Sequence, residues 1–297
     1  MHSGYELAYY MVVFLDVLGQ SERLEELNTL PTNQAEIDKA AQTLDETAGS
    51  IVRLRKGFDS LFDALSKPTP ILDSLSPQNR SMAMSLRQVK IARRGISDSY
   101  IMTLPLVEDE LFGRSGVILN VWSALGATCG MFVAGLAIGL VVRGGVEIGL
   151  GTPLPIYNRD EIYGPAVARA VRLENKVAQY PRVVVGEHLW QYLCTVEGSI
   201  VKTKLDQFAK KYAVDSKNLI CQEQEYDGVR VLDYLGKGVR SLEGGVEPRW
   251  VEKAYQWVIQ EHEKYIKSKN YELAGRYGLL RQYMESRLSL WGINKVH

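Results

Sequence analysis

An apolar run that ends in one carboxylate is the most distinctive pattern in the chain. Residues 9 to 19, YYMVVFLDVLG, are rich in β-branched and aromatic side chains, which predicts a buried central strand. Asp16 lies near the end of this run, where an unpaired charge costs several kcal/mol of stability. Asp16 therefore either caps the following turn or binds a metal ion together with a second acidic residue from elsewhere in the chain.

The residues after this strand have helical spacing. Between residues 33 and 67, apolar side chains recur every three or four positions with charges between them, which predicts one long or two shorter amphipathic helices. Pro68 and Pro70 are expected to end the helical segment. Residues 20 to 86 are therefore predicted to form a helical insertion between the first two strands.

A hairpin is predicted from two short β-type runs between residues 89 and 104, which are joined around residues 95 to 99. Asp98 lies at the tip of this hairpin, between Ser97 and Ser99. This aspartate is the second acidic residue that a metal site at the end of the first strand would need.

The segment from residue 115 to residue 142 contains no charged side chain over 28 positions, which is long enough for a transmembrane helix. Interspersed polar side chains, frequent glycines and the strand-like spacing after Gly139 favour a different interpretation, a buried helix followed by a central strand. We therefore predict no membrane insertion, and a membrane sensor built on this segment is the alternative.

The rest of the chain alternates between helical and strand-like patterns. These further elements are predicted at residues 163–174, 182–186, 187–195, 202–213, 218–234 and 248–293. The order of all the elements predicts an α+β fold in which helices cover one face of a mostly antiparallel sheet. Residues 1 to 245 form one predicted domain, and residues 246 to 297 are predicted to be C-terminal helices that pack on it.

Composition and charge narrow the functional class. Lysine plus arginine and aspartate plus glutamate number 35 each, so no overall basic field would attract nucleic acid or an anionic membrane surface. The three cysteines have neither disulfide-framework nor zinc-ligand spacing, which indicates a reducing compartment. The N-terminal residues do not have the pattern of a signal peptide, and we predict a cytoplasmic protein that binds no nucleic acid.

Four motifs carry a family resemblance. In chain order they are FLDVLG at residues 14–19, ISDS at 96–99, VRGGVEIG at 142–149 and YGPAVARAVRLE at 163–174. Together they resemble the catalytic core of class III nucleotidyl cyclases, and more closely their bacterial antiphage branch, the pyrimidine cyclases of Pycsar systems. The resemblance covers about residues 5 to 190. It implies a cyclase-like α+β fold, a homodimer with active sites at its interface, and two divalent cations, Mn²⁺ or Mg²⁺.

The resemblance assigns roles to individual residues. Asp16 and Asp98 match the two metal-binding aspartates, and the carbonyl of Val17 would be a further ligand. Gly19 would let backbone amides approach a triphosphate. Arg172 matches the arginine that stabilises charge on the transferring phosphoryl group.

Two further positions match residues that read the base. Arg94 falls where adenylate cyclases carry a lysine, and Glu161 falls where they carry its aspartate partner. Ala168 replaces an expected asparagine, a departure for which Arg169 could compensate. Structural alternatives stay open, because Arg94 and Glu161 could pair with other charges and Arg172 could lie on the surface of an amphipathic helix.

Arg143 lies between an apolar strand and two glycines, and two roles are open for it. It pairs with a buried carboxylate, such as Glu147 or Glu174, or it binds phosphate. The residues alone do not separate these two roles.

The activity implied by the resemblance is conversion of UTP or CTP into 3′,5′-cyclic UMP or cyclic CMP and pyrophosphate. UTP is favoured over CTP by the family and not by the residues themselves. The cyclic product would act on a separate effector protein in antiphage defence. The alternatives are a purine nucleotide cyclase and a noncatalytic nucleotide-sensing module, and Ala168 in place of the asparagine favours the second of these.

Overall fold

The computed structural model describes residues 6–25, 27, 29–66, 76–78, 80–81, 92–96, 98–107, 114–154, 161–221, 228–242 and 245–296. The strands in these residues are β1 (Ala8–Val17), β2 (Ala92–Ile96), β3 (Ser99–Pro105), β4 (Val142–Pro153), β5 (Ile162–Tyr163) and β6 (Val183–Val185). The α-helices are α1 (Gln20–Glu25), α2 (Gln34–Leu65), α3 (Arg114–Ala137), α4 (Pro165–Arg172), α5 (Glu187–Glu197), α6 (Lys204–Lys217), α7 (Lys237–Arg240), α8 (Pro248–Lys267) and α9 (Tyr271–Arg287). A π-helical turn, Leu173–Val177, follows α4, and a 3₁₀ turn, Leu288–Trp291, follows α9.

The described strands form one sheet with β1 at its centre. The path is β2-β3-β1-β4-β5 with antiparallel neighbours throughout, and β6 runs parallel to part of β4. Each residue from Tyr10 to Asp16 has a register partner on both β3 and β4. The α+β class, the mostly antiparallel sheet and the β2–β3 hairpin are therefore confirmed, and the cyclase-like fold stays a prediction.

One face of the sheet carries the main hydrophobic core. Met11, Val13 and Leu15 of β1 are fully buried there and belong to one cluster with residues of α2, α3, α8 and α9. Alternate residues of a strand point to opposite faces, so this set leaves Asp16 on the other face. The core thus fixes the strand while its acidic residue stays outside the core.

The opposite face is covered in part by α4, so helices lie on both faces of the sheet and not on one face as predicted. Val12 and Phe14 pack there against Ala166 and Ala170 of α4. The close approach needs a glycine on β4, because a Cβ atom at Gly145 would lie 2.3 Å from the carbonyl oxygen of Ala170. A glycine pattern in the sequence does not indicate which helix will use the space.

A single helix, α2, forms the segment for which one long or two shorter helices were predicted. Asn33 caps its N-terminus by accepting a hydrogen bond of 3.0 Å from the backbone N–H of Glu36. The buried side chains of α2 run from Thr47 to Leu65, and the helix packs against α3. Together with α1, α2 confirms a helical segment between β1 and β2 for the residues that are described.

The uncharged segment forms α3. Its stretch Val117–Ala137 is the one helix of the described residues that could cross a membrane by length and composition, and 89% of its most apolar window is buried inside the protein. The surrounding helices α2, α6 and α8 supply this apolar environment. The predicted buried helix followed by a central strand, here β4, is confirmed.

Two helices, α8 and α9, confirm the predicted C-terminal pair, and they pack on each other while α8 also packs on α3. Some predictions fall outside the described residues, namely the helix stop at Pro68 and Pro70 and the turn of a hairpin at Asp227. Beside that turn, Ile220 and Leu232 form an isolated antiparallel bridge.

Candidate functional site

Asp16 lies near the end of β1, between Ser99 on β3 and Arg143 on β4. The hydroxyl of Ser99 donates a hydrogen bond of 3.0 Å to Oδ1 of Asp16, and Nη2 of Arg143 lies 3.9 Å from its Oδ2. The Asp16 side chain is 22% exposed. Among the described residues, Asp16 therefore does not cap a turn. Its Oδ2 faces the guanidinium group of Arg143 but accepts no hydrogen bond from it.

Asp98 lies in the turn between β2 and β3, and its backbone carbonyl accepts a hydrogen bond of 3.2 Å from the N–H of Val17. This bond ties the hairpin tip to the end of β1. Burial raises the pKa of Asp16, the charge of Asp98 raises it further, and the Ser99 hydrogen bond and the charge of Arg143 lower it. The structure thus brings the two predicted metal-binding aspartates together.

Glu174 is a third carboxylate coupled to this pair. It is 2% exposed, lies in the π-helical turn and accepts a hydrogen bond of 2.5 Å from Nε of Arg143. Burial raises the pKa of Glu174, and the charges of Asp16 and Asp98 raise it further, while Arg143 lowers it. Between the two carboxylates left open for Arg143 by the sequence, the structure therefore selects Glu174.

The residues present fit hard cations with oxygen ligands. The Asp98 carboxylate makes no hydrogen bond or ion pair with any described residue. Oδ2 of Asp16 accepts no hydrogen bond from a described residue, and its ion-pair partner, Nη2 of Arg143, is 3.9 Å away. No group of three or more His, Cys, Asp or Glu side chains arranged for a metal ion occurs in the described part of the chain. Two carboxylates, completed by water and substrate phosphates, are the usual protein contribution to a Mg²⁺ site. The carbonyl of Val17 stays a predicted ligand.

Two further predicted site residues, Gly19 and Arg94, lie near the Asp16 end of the sheet, and the contacts of the described residues do not test their roles. Gly19 has a φ of +80°, which favours glycine, and it lies in the turn three residues after Asp16. The backbone of Arg94 pairs with Ile101 in the β2–β3 hairpin, and the Arg94 side chain is outside the described part. The roles of Gly19 and Arg94 stay predictions.

Glu161 lies at the far end of the sheet. It precedes β5, which pairs with Thr152 and Pro153 of β4, whereas Asp16 pairs with Arg143. Nine residues of strand separate positions 143 and 152 (152 minus 143), a length of about 30 Å. Within one chain the structure therefore does not bring Glu161 to the two aspartates.

Arg169 and Arg172 are both exposed on α4. Nη1 of Arg169 lies 3.4 Å from Nε2 of His188, whose Nδ1 lies 3.2 Å from Oε2 of Glu147. Arg172 makes no ion pair with any described side chain. Of the two arginines, Arg172 is thus the one available to a neighbouring molecule, and Arg169 is part of a polar chain within the subunit.

The sequence did not predict the role of Glu147 in the series of polar contacts from Arg169 through His188. The carboxylate is 6% exposed and accepts a hydrogen bond of 3.0 Å from the backbone N–H of Leu189, in the first turn of α5. A Cβ atom at Gly186 would lie 2.2 Å from Oε2 of Glu147, so the helix start depends on that glycine. The signal in the sequence was a glutamate inside an apolar strand, the same signal that identified Asp16.

An apolar cleft of about 610 Å³ lies at the far end of the sheet. Its lining includes Leu7, Leu150, Leu154, Tyr163 and Pro165. Leu7 and Tyr163 are each 69% exposed, which is unusual for large apolar side chains that lie close together. This end of the molecule is therefore suited to a protein contact.

Comparisons with known proteins do not identify a family. No protein-family model matches the chain, and no curated protein matches it significantly. The functional assignment therefore depends on the geometry around Asp16 and Asp98 and on the order of the four motifs.

Metal-free Asp16→Asn protein is expected to be more stable than the wild type at pH 7. Because the pKa of Asp16 is raised in the folded state, its ionised form destabilises the fold once the pH rises above the unfolded-state pKa of about 4. We expect the variant to melt at a higher temperature than the wild type at pH 7 and the difference to shrink towards zero as the pH falls to about 4. Calorimetry with a chelator measures this, and a variant that melts below the wild type at pH 7 contradicts it.

Proposed function

We propose that the protein is a metal-dependent pyrimidine nucleotide cyclase that converts UTP, or otherwise CTP, into the 3′,5′-cyclic nucleotide and pyrophosphate. The observation that carries the proposal is the convergence of Asp16 and Asp98, two carboxylates with unused oxygens, at the end of β1 and the tip of the β2–β3 hairpin. The motif resemblance supports the same reaction. It is also the basis for placing the enzyme in antiphage defence, with a separate effector protein that responds to the product. The cytoplasmic location is proposed from the spacing of the cysteines and the pattern of the N-terminal residues.

Asp16 and Asp98 would hold two divalent cations, Mn²⁺ or Mg²⁺, with the carbonyl of Val17 as a further ligand. Such a pair of ions activates the attacking ribose 3′-hydroxyl and neutralises the leaving pyrophosphate. The chain itself contributes rigid positioning, because Ser99 fixes one oxygen of Asp16 and the backbone of Asp98 is bonded to β1. Gly19 permits close approach of the turn backbone to the triphosphate.

The remaining roles fall to Arg172, Glu161 and Arg94. Arg172 would stabilise the charge that develops on the transferring phosphoryl group, with Arg169 as a secondary contributor. Arg94 can donate to O4 of uracil while Glu161 accepts from N3–H, and a comparable pair of bonds serves cytosine. These residues are compatible with either pyrimidine, so the preference for UTP comes from the resemblance.

A homodimer with two interfacial sites accounts for the position of these groups. Glu161 is about 30 Å along β4 from Arg143, the neighbour of Asp16, so a single chain does not assemble the whole set. A second subunit related by twofold symmetry would bring its Glu161 and Arg172 to the first subunit's aspartates. The exposed Arg172 and the apolar cleft at Leu7 and Tyr163 support such a contact.

Turnover of the four nucleoside triphosphates tests the proposal. We expect purified protein with Mn²⁺ to cyclise UTP or CTP at least about tenfold faster than ATP and GTP, a difference of about 1.4 kcal/mol in transition-state binding. Chromatography and mass spectrometry identify the products. A faster reaction with ATP or GTP would instead establish a purine cyclase.

A noncatalytic nucleotide-sensing module is the second candidate, and one observation favours it. Ala168 is exposed on α4 at the position where the resembling enzymes carry an asparagine that contacts substrate. Saturable nucleotide binding by calorimetry, without any cyclic product over long incubation, would select this function over the cyclase.

A further inference from the structure

Arg143 lies between two carboxylates and is shared unequally by them. Both Nε and Nη2 lie 2.5 Å from Oε1 of Glu174, whereas Nη2 lies 3.9 Å from Oδ2 of Asp16. The first contact is a short charge-assisted hydrogen bond, and the second is an electrostatic contact without a hydrogen bond. Oδ2 of Asp16 therefore keeps its lone pairs available.

Burial explains this preference. Glu174 is 2% exposed and Arg143 is its hydrogen-bonding partner among the described residues, so an unpaired Glu174 would suffer the full cost of desolvation. Asp16 is 22% exposed, and water compensates part of its charge. A hydrogen bond from the Arg143 guanidinium to Glu174 consequently lowers the free energy of the folded protein more than a bond to Asp16 would.

Without Glu174, Asp16 is the nearest carboxylate for the same guanidinium. Arg143 is the direct register partner of Asp16 on β4, and both side chains leave the same face of the sheet. A movement of about 1 Å would close the gap of 3.9 Å to a charge-assisted bond. That bond would occupy the Asp16 oxygen that a cation needs.

We propose that Glu174 is a positioning residue that holds Arg143 away from Asp16 and so keeps the aspartate pair open to a divalent cation. The inference rests on the proposed function, because it assumes that Asp16 and Asp98 bind the cation. Loss of Glu174 would make the protein self-inhibited, with its own arginine in the place of the metal.

The π-helical turn is the element that delivers Glu174 to this position. The N–H of Ala178 bonds to the carbonyl of Leu173 at 2.9 Å, five residues back, which widens the chain after α4. Gly145, two residues after Arg143, admits the turn, since a Cβ atom there would lie 2.7 Å from Cβ of Leu173. Turns of this type recur at functional sites, and here it places a buried carboxylate beside the candidate metal ligands.

The Glu174→Gln variant tests the inference without nucleotide and without turnover. Glutamine keeps the shape of the side chain and removes its charge. In a metal-free crystal structure we expect a guanidinium nitrogen of Arg143 within about 3 Å of an Asp16 oxygen. By titration calorimetry we expect Mn²⁺ to bind at least about tenfold more weakly than to the wild type, while Glu263→Gln, an exposed glutamate of α8, leaves binding unchanged.

The Arg143→Gln background separates positioning from a simple loss of negative charge. If Glu174 acts through Arg143, the Glu174→Gln change should alter Mn²⁺ affinity less than about threefold when Arg143 is already absent. An equal loss in both backgrounds overturns the inference, and so does a Glu174→Gln structure in which Arg143 stays away from Asp16. If the wild type binds no Mn²⁺, the proposed function fails. The position of Arg143 in the Glu174→Gln crystal structure then still decides whether Glu174 holds Arg143 away from Asp16.

Discussion

Replacement of Asp98 by asparagine is expected to lower the rate of cyclic nucleotide formation by at least about a thousandfold, or about 4 kcal/mol of transition-state stabilisation. The Asp98 carboxylate has no partner among the described residues, so its removal breaks no hydrogen bond or ion pair of the described fold. Asparagine keeps the volume and the backbone bond from Val17 to the carbonyl of residue 98. The loss can therefore be attributed to the cation site.

The matched control is Asp45→Asn, which changes an exposed aspartate on α2. Its rate with Mn²⁺ and UTP or CTP should equal that of the wild type. Metal-free melting temperatures of both variants should lie close to the wild-type value, which excludes unfolding as the cause. An Asp98→Asn protein that retains more than about a tenth of the wild-type rate would remove Asp98 from the metal site.

Two inactive variants are expected to restore activity when their chains are mixed. Arg172→Ala lacks the arginine given to the partner's site, and Asp98→Asn lacks a metal ligand of its own site. In an equal mixture of the two chains half of the dimers are mixed, and each mixed dimer has one intact site of two. We therefore expect about a quarter of the wild-type activity from the mixture and less than about a hundredth from either variant alone.

The control for this experiment mixes Asp98→Asn with Asp16→Asn. Both changes affect the same half of the site, so no mixed dimer has an intact site and the mixture should stay inactive. Recovery in this control, or no recovery with Arg172→Ala, would show that the arginine does not act across a subunit interface. Co-expression followed by purification through two different tags isolates the mixed dimers, and for such a purified sample of Arg172→Ala with Asp98→Asn the expected activity rises from about a quarter to about half of the wild-type value.

Patterns that depend on one segment of chain could be predicted from the sequence. The apolar run of β1, the uncharged α3 and the period of α2 each contain their own signal, because burial of one face or of both faces sets the periodicity of a segment. Asp16 was identifiable for the same reason, since an acidic residue in a buried strand requires compensation. Asp98 was identified by its position at the tip of the predicted hairpin, as the second acidic residue that a metal site would need.

Features that depend on two distant segments could not be predicted in this way. Helix α4 packs on the second face of the sheet because Gly145 leaves room for the backbone of Ala170, and these two residues are far apart in sequence. The partner of Arg143 depends on the π-helical turn, whose wider path brings Glu174 inward and leaves Glu147 to the start of α5. Choices between alternative charge partners are set by such packing and not by the spacing of residues.

The distance of about 30 Å that separates Glu161 from the Asp16 end of the sheet has a consequence for control in the cell. Under the proposed function each chain carries two halves of an active site that lie too far apart to form one site. The rate of cyclic nucleotide formation therefore depends on the number of dimers. At concentrations below the dimer dissociation constant, that number grows with the square of the protein concentration. A cell could therefore hold the signal near zero at low expression, and a modest rise in synthesis would produce a disproportionate response.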